Sequence, residues 1–291
     1  LEPADANAGF RLAALIAPTH DPHARLEDAQ ENRFGRVERD AGQPANRNRA
    51  AVQGGVMTHR TRIKICGLTR EADVDAAVFA GADAIGFVLY PNSPRFVSTR
   101  RAGVLARRLP CFVIPVLLFV NASPEFIARG VAEVPQALLQ FHGDESVADC
   151  EAPGRPYLRA ARIAPGAAGA SFDLLKYGAE FSSAQAVLLD AHAEGYGGSG
   201  QSFDWTAFPW SHPQLNASSR LVLSGGLDAA NVGTGIGLVR PWAVDVSSGV
   251  EARAPNGEVL RGIKDAARMA EFVAAVRAAD TGATHPNSRP T

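Results

Sequence analysis

A thiol closes one apolar run of this chain and a carboxyl closes another. Cys66 ends Arg62-Ile63-Lys64-Ile65-Cys66 just before Gly67, and Asp190 ends Ala186-Val187-Leu188-Leu189-Asp190 just before a glycine-rich stretch. Free cysteine is among the most buried residue types, so a core filler is the default reading of Cys66. Its place at a strand end beside a glycine strengthens the case for chemistry. Lys64 lies two residues earlier and faces the same way on an extended strand, where an ammonium favours the thiolate. A structural ion pair is the other reading of Lys64. Asp190 reads as a helix cap or satisfied structural group, or as a partly desolvated acid with a raised pKa that donates a proton near neutrality. A thiolate and a protonated carboxyl on opposite sides of one site make a base and an acid.

Two loops have the composition of an anion cradle. Ser224-Gly225-Gly226 and Ser247-Ser248-Gly249 each follow a short apolar run, and glycine there lets backbone N–H groups come close to a phosphate. Tight turns that need glycine are the plainer reading. Arg95, in Asn92-Ser93-Pro94-Arg95, can grip a carboxylate with two parallel hydrogen bonds, against the ordinary alternative of an exposed loop arginine. His142 reads as a hydrogen-bonded lining residue, because no second metal ligand stands at helical or strand spacing. Gly195-Tyr196-Gly197-Gly198-Ser199-Gly200 formally fits G-x-G-x-x-G, but no acidic partner follows on a strand. A lid over the substrate is the better reading.

These positions fall at the ends of a repeating element. Strands are expected at 62–66, 83–90, 112–120, 137–142, 157–163, 186–190, 220–224 and 243–247, each followed by a helical segment, the last at 264–279. Thr69 is the expected N-cap of the first helix and Gly81 its stop; Ser123-Pro124-Glu125 opens another. Apolar strands separated by helices imply a parallel sheet covered on both faces. Eight such units match a (β/α)8 barrel, with a doubly wound open sheet as the runner-up. Barrel chemistry sits on the loops after the strands, and the loops after strands seven and eight are its recurrent phosphate site. The polar residues above occupy those places.

Bulk properties exclude several classes. The chain has 291 residues, 46% hydrophobic and 20% charged, with formal net charge −1, which gives no electrostatic argument for nucleic acid or an anionic membrane. No apolar run reaches the roughly 18 residues of a membrane span. Three scattered cysteines form neither a disulfide framework nor a CxxC metal pattern, so a reducing cytoplasm is the expected setting, with no metal. Residues 1–56 are polar and charged without sustained periodicity, and read as a disordered or upstream extension ahead of Met57. The barrel is expected over 57–279, and 280–291 as a loose tail.

The segments KICGLT, GADAIGFVLYPNSPRFVS, LLQFHGDES, LLLDAHAEGYGGSGQSFDW, LVLSGGLDAANV and AVDVSSGVE, in this order and spacing, resemble phosphoribosylanthranilate isomerase. The likeness covers about residues 60–277, and only the loop VEARAPNGEVLRGIKDAARM runs longer than the family pattern. The resemblance implies an Amadori rearrangement in tryptophan biosynthesis, without metal or organic cofactor, on a small phosphosugar and by a monomer or homodimer. It puts the general acid at Asp190 and the general base at Cys66. The aryl carboxylate contact falls on Arg95, and the phosphate loops on Gly225, Gly226, Ser247, Ser248 and Gly249. The related isomerase of histidine biosynthesis wants a carboxylate where Cys66 stands, and the synthase that follows in the tryptophan pathway wants a catalytic lysine and glutamate. A non-catalytic phosphate sensor on the same scaffold needs neither Cys66 nor Asp190.

Overall fold

Alternating side chains along each strand decide the architecture. In β1 (Arg62–Cys66), Ile63 and Ile65 are fully buried in one large core, while Lys64 and Cys66 turn to the other face. Both faces are therefore covered, which explains the near-continuous apolar strands. The computed structural model describes residues 60–164, 169, 171–191, 204–208, 210, 212 and 220–282. All lie in the unit Gly55–Thr291. The expected extension over 1–56, the glycine-rich lid at 195–200 and residues 283–291 lie outside the described residues.

Eight parallel strands close into a barrel in chain order. They are β1, β2 (Ala84–Val88), β3 (Ile114–Phe119), β4 (Leu138–Phe141), β5 (Tyr157–Ile163), β6 (Ala186–Ala191), β7 (Leu221–Leu223) and β8 (Ala243–Val246). β8 pairs back onto β1, with Asp245 opposite Lys64, so the sheet is closed rather than open. Helices α1 (Glu71–Ala80), α2 (Thr99–Ala106), α3 (Pro124–Glu133), α4 (Val147–Glu151), α5 (Leu174–Glu180), α6 (Val232–Val239) and α7 (Ala266–Gly282) follow in sequence. After β6 the described residues hold a single 3-10 turn, Trp205–Ala207. α7 carries past 279, and Asp280 accepts hydrogen bonds from the Thr61 backbone and hydroxyl.

Local chemistry fixes the helix starts. Ser98, Ser123 and Ser146 accept from the backbone of the first helical turn, Pro124 takes the first position of α3, and Ser146 with Asp149 makes a capping box. Gly81 ends α1 in the left-handed conformation at φ 99°. Thr69 does not cap α1. Arg70 stands at that N-cap without a side-chain bond, and the Thr69 hydroxyl instead donates to the Gly262 carbonyl at 2.6 Å.

That carbonyl belongs to an element absent from the sequence reading. The long loop after β8 contains an antiparallel hairpin, β9 (Glu251–Arg253) and β10 (Val259–Lys264), so Lys264 ends a strand rather than opening the last helix. Gly257 turns the hairpin at φ 86°, and Asn256 Oδ1 accepts from the Glu258 N–H.

Inside the barrel the strands are layered. Val116, Leu158, Ala160, Ala186, Leu188, Val222 and Ala243 fill an apolar floor. Two residues further along the same faces the character changes to Lys64, Gln140, Asp190, Ser224 and Asp245, all buried. Period-two geometry lifts each of these one step towards the C-terminal mouth.

Candidate active site

Cys66 ends β1 and Asp190 is the penultimate residue of β6, both on the interior face and only 5% and 6% exposed. β6 is reached from β1 by way of β8 and β7, so the two groups stand well apart around one ring. Cys66 sits against Gly86, its partner in the β1–β2 ladder. It also joins Val88, Leu118 and Val120, with Tyr90 packed alongside, in a small apolar patch.

Lys64 makes a buried ion pair. Its Nζ lies 2.8 Å from Asp245 Oδ1, on the residue opposite it in the ladder. Burial opposes the ammonium, but Asp245 and Cys66 outweigh it, and the Lys64 pKa rises. For Cys66 the balance goes the other way: burial pushes its thiol up, Lys64 pulls it down in part, and Asp245 adds to the rise. The ammonium moderates the thiol without lowering it below its ordinary value. Lys64 therefore does serve an ion pair, and its ammonium favours the thiolate as expected, though not by enough to offset burial.

Asp190 faces His142, whose Nε2 lies 3.1 Å from Oδ2 but off line for a hydrogen bond. Gln140 Nε2 is 3.0 Å from His142 Nδ1. With the amide donating there, the ring proton belongs on Nε2, facing the carboxyl. Among the described residues, Gln140 Oε1 is likewise buried without a hydrogen-bond partner. The loop that carries His142 is bolted by Glu145, which accepts from the Asn121 and Gly143 N–H groups at 2.7 and 2.8 Å, and by Arg159, which donates to the Phe141 and Gly143 carbonyls.

Arg95 is buried, at 5% exposure, and not a surface residue. Its Nε and Nη2 hold both carboxylate oxygens of Glu251 at 2.7 and 2.8 Å. The fork thus grips a carboxylate of the protein itself, and Nη1 makes no hydrogen bond within the described residues. Burial raises the pKa of Glu251, but hydrogen bonds from Arg95 and the charge of Lys264 more than offset it, and the carboxyl ends up below its usual range.

The loops after β7 and β8 are interlocked. Gly225 and Gly226 adopt φ 81° and 63°, and a Cβ on Gly225 would lie 2.5 Å from the Ala191 nitrogen. A Cβ on Gly249 would lie 2.0 Å from the Leu227 carbonyl oxygen, so one loop leaves room for the other only because it carries glycine. Asn231 Nδ2 donates to the Gly226 carbonyl at 2.8 Å and pins the first loop to the start of α6. Ser247 Oγ donates to the Cys66 carbonyl at 3.0 Å, which ties the second loop to the end of β1. Ser248 and Gly249 form a short 3-10 turn with Val250.

Residues 63–275 match the family model described as N-(5'phosphoribosyl)anthranilate (PRA) isomerase. The chain belongs to this family. Within it, the N-(5'-phosphoribosyl)anthranilate isomerase of Leptothrix cholodnii is 61% identical over 221 residues, covering 76% of this chain and 93% of the relative. The phosphoribosyl anthranilate isomerase structure from Thermotoga maritima superposes with a TM-score of 0.63 at 37% identity, over 75% of this chain and 99% of that one. A structure of the family enzyme in complex with reduced 1-(o-carboxyphenylamino)-1-deoxyribulose 5-phosphate gives a TM-score of 0.61 at 34% identity, with the same coverage.

Three charged residues buried beside this candidate site of the isomerase-family chain escaped the sequence reading: Asp245, Glu251 and Lys264. A signal for Asp245 did exist. A carboxylate inside Ala243-Val244-Asp245-Val246 needs a buried partner, and Lys64 is the cation on the same interior face. Among the described residues no helix is long and apolar enough to cross a membrane, and no cluster of three or more His, Cys, Asp or Glu could hold a metal.

Proposed function

We propose that this protein isomerises N-(5'-phosphoribosyl)anthranilate to 1-(2-carboxyphenylamino)-1-deoxyribulose 5-phosphate, an Amadori rearrangement of tryptophan biosynthesis, in the cytoplasm. The observation that carries the reading is the presence of a buried thiol and a buried carboxyl at separate strand ends of one closed barrel, beside two interlocked glycine loops. Family membership and the likeness to a structure holding a reduced form of that product support it.

Asp190 acts as the general acid. It gives its proton to the furanose ring oxygen, the C1'–O bond breaks, and the aryl nitrogen's lone pair forms a protonated Schiff base. Cys66, as thiolate, then removes the C2' proton, whose electrons neutralise the iminium to give an enolamine. Tautomerisation delivers the ketone. One proton is given and one taken, so no redox partner enters. A positioned acid or base of this kind contributes about 10²–10⁴-fold.

Each end of the substrate has a matching surface. The glycine loops, with Gly225, Gly226, Ser247, Ser248 and Gly249, take the phosphate, whose binding energy is remote from the reacting carbons and orients them. The aryl ring lies against Cys66, Val88, Leu118 and Val120, and its carboxylate meets Nη1 of Arg95. Gln140 Oε1 and His142 Nε2, neither of which makes a hydrogen bond among the described residues, suit sugar hydroxyls beside Asp190. The test is the loss of phosphoribosylanthranilate fluorescence with purified protein. Catalysed decay is expected; decay at the buffer rate at micromolar protein rejects the reading.

A further inference from the structure

The ammonium of Lys264 has no part in the acid–base sequence, yet it touches the β1 side of the site at every level. Its side chain is fully enclosed. Nζ donates to the Ser247 carbonyl at 2.8 Å, to Ser247 Oγ at 3.3 Å and to Glu251 Oε1 at 3.2 Å, which gives each of its three N–H groups an acceptor inside the protein. Both partners pass the connection on. Ser247 Oγ donates to the Cys66 carbonyl, and Glu251 holds Arg95 and accepts from the Gly262 N–H at 2.8 Å. The Lys264 backbone is equally fixed: its N–H donates to Asp73 Oδ2 at 3.0 Å, and its carbonyl accepts from Arg70 at 3.3 Å.

We infer that Lys264 is a positioning residue, holding the loop assigned to the phosphate and the Glu251–Arg95 fork assigned to the aryl carboxylate in fixed register with Cys66. The inference rests on the functional reading above. A neutral side chain of the same length strips the Ser247 carbonyl and hydroxyl of a buried donor and leaves Glu251 with one cation instead of two. Unpaired buried acceptors are costly, so the loop moves to find water.

The charged and titratable groups around this ammonium are Glu251 on β9, Arg95 on the loop after β2 and Cys66 on β1, with Asp73 and Arg70 at the start of α1 against its backbone. Burial lowers the Lys264 pKa, Glu251 opposes that, and with Arg95 and Cys66 the balance falls at about 8. Below that pH the ammonium is present and the register is held. As pH rises through it the tie is lost, and affinity for an anion on the loop declines.

The test is calorimetric titration of the full-length protein with ribose 5-phosphate between pH 7 and 9.5. A phosphate monoester's second ionisation lies near pH 6, so the ligand's charge is constant over this range. Wild-type affinity is expected to fall at least threefold from pH 7 to 9, also in a Cys66→Ala background where no thiolate can repel the ligand. Lys264→Met is expected to bind at least tenfold more weakly at pH 7 with a flat profile, and to raise KM for phosphoribosylanthranilate more than it lowers kcat. A flat wild-type profile overturns the inference, as does a folded Lys264→Met that matches wild type. Should that variant not fold, the wild-type and Cys66→Ala profiles decide alone. A wild type that binds ribose 5-phosphate with the stated pH dependence but turns over no phosphoribosylanthranilate overturns the isomerase reading and leaves the role of Lys264 standing.

Discussion

Gly86 makes room for Cys66: a Cβ built on it would lie 2.6 Å from the sulfur and 3.0 Å from the Cys66 Cα. The glycine faces Cys66 across the β1–β2 ladder, so the first clash is with the sulfur itself and the β1 backbone behind it leaves little room to give way. Gly86→Ala is therefore expected to displace the thiol. Misplacing a reacting group by about 1 Å costs on the order of 10²-fold in rate. Steady-state kinetics of this variant should show that loss in kcat, with the far-ultraviolet spectrum preserved. Wild-type kcat in a folded variant removes the constraint.

Cys66→Ala and Asp190→Asn remove the proposed base and acid with little change of volume. Each should lower kcat by about 10²–10⁴-fold. The melting temperature is expected to stay within a few degrees of wild type, since neither residue anchors the main core. Near-normal turnover by either purified variant rejects the role of that residue alone, because the two act in separate steps.

The rate should also carry the signature of the thiol. Burial holds the Cys66 pKa above its ordinary value, so the reactive thiolate is a minority near neutrality. Its fraction grows with pH until the pKa is passed, and kcat at saturating substrate is expected to climb from pH 6 to 9. Where C2' deprotonation limits turnover, a kcat that is flat or falling over that interval excludes Cys66 as the base.

Lys64 and Asp245 offer a test of stability. Lys64→Met leaves Asp245 as an uncompensated buried carboxylate, a change that typically costs about 3–5 kcal/mol. Adding Asp245→Leu removes the orphaned charge and should recover most of that loss. Urea unfolding of the two single variants and the double variant closes the cycle; full additivity means that the pair is not coupled.

The barrel was legible because its strands are buried on both faces and its helices carry explicit start and stop residues. Every expected strand formed, with ends shifted by at most two residues. The positions of Cys66, Asp190 and the two glycine loops at the strand ends were legible too. What stayed hidden depends on long-range pairing. Arg95 read as a loop residue because its partner, Glu251, lies 156 positions away. The β9–β10 hairpin is short and irregular in register, and its Asn256-Gly257 turn was the one local sign of it. Thr69 looked like a cap because nothing nearby reveals that its hydroxyl is taken by that hairpin.

The meeting of Gly249 with the Leu227 carbonyl has a consequence for redesign. Barrel enzymes are commonly treated as a rigid scaffold bearing eight interchangeable attachments. In this protein the seventh and eighth are keyed into one another, so a transplant of either one brings foreign bulk into a gap that has no slack. New specificity at this end has to be imported as a matched set.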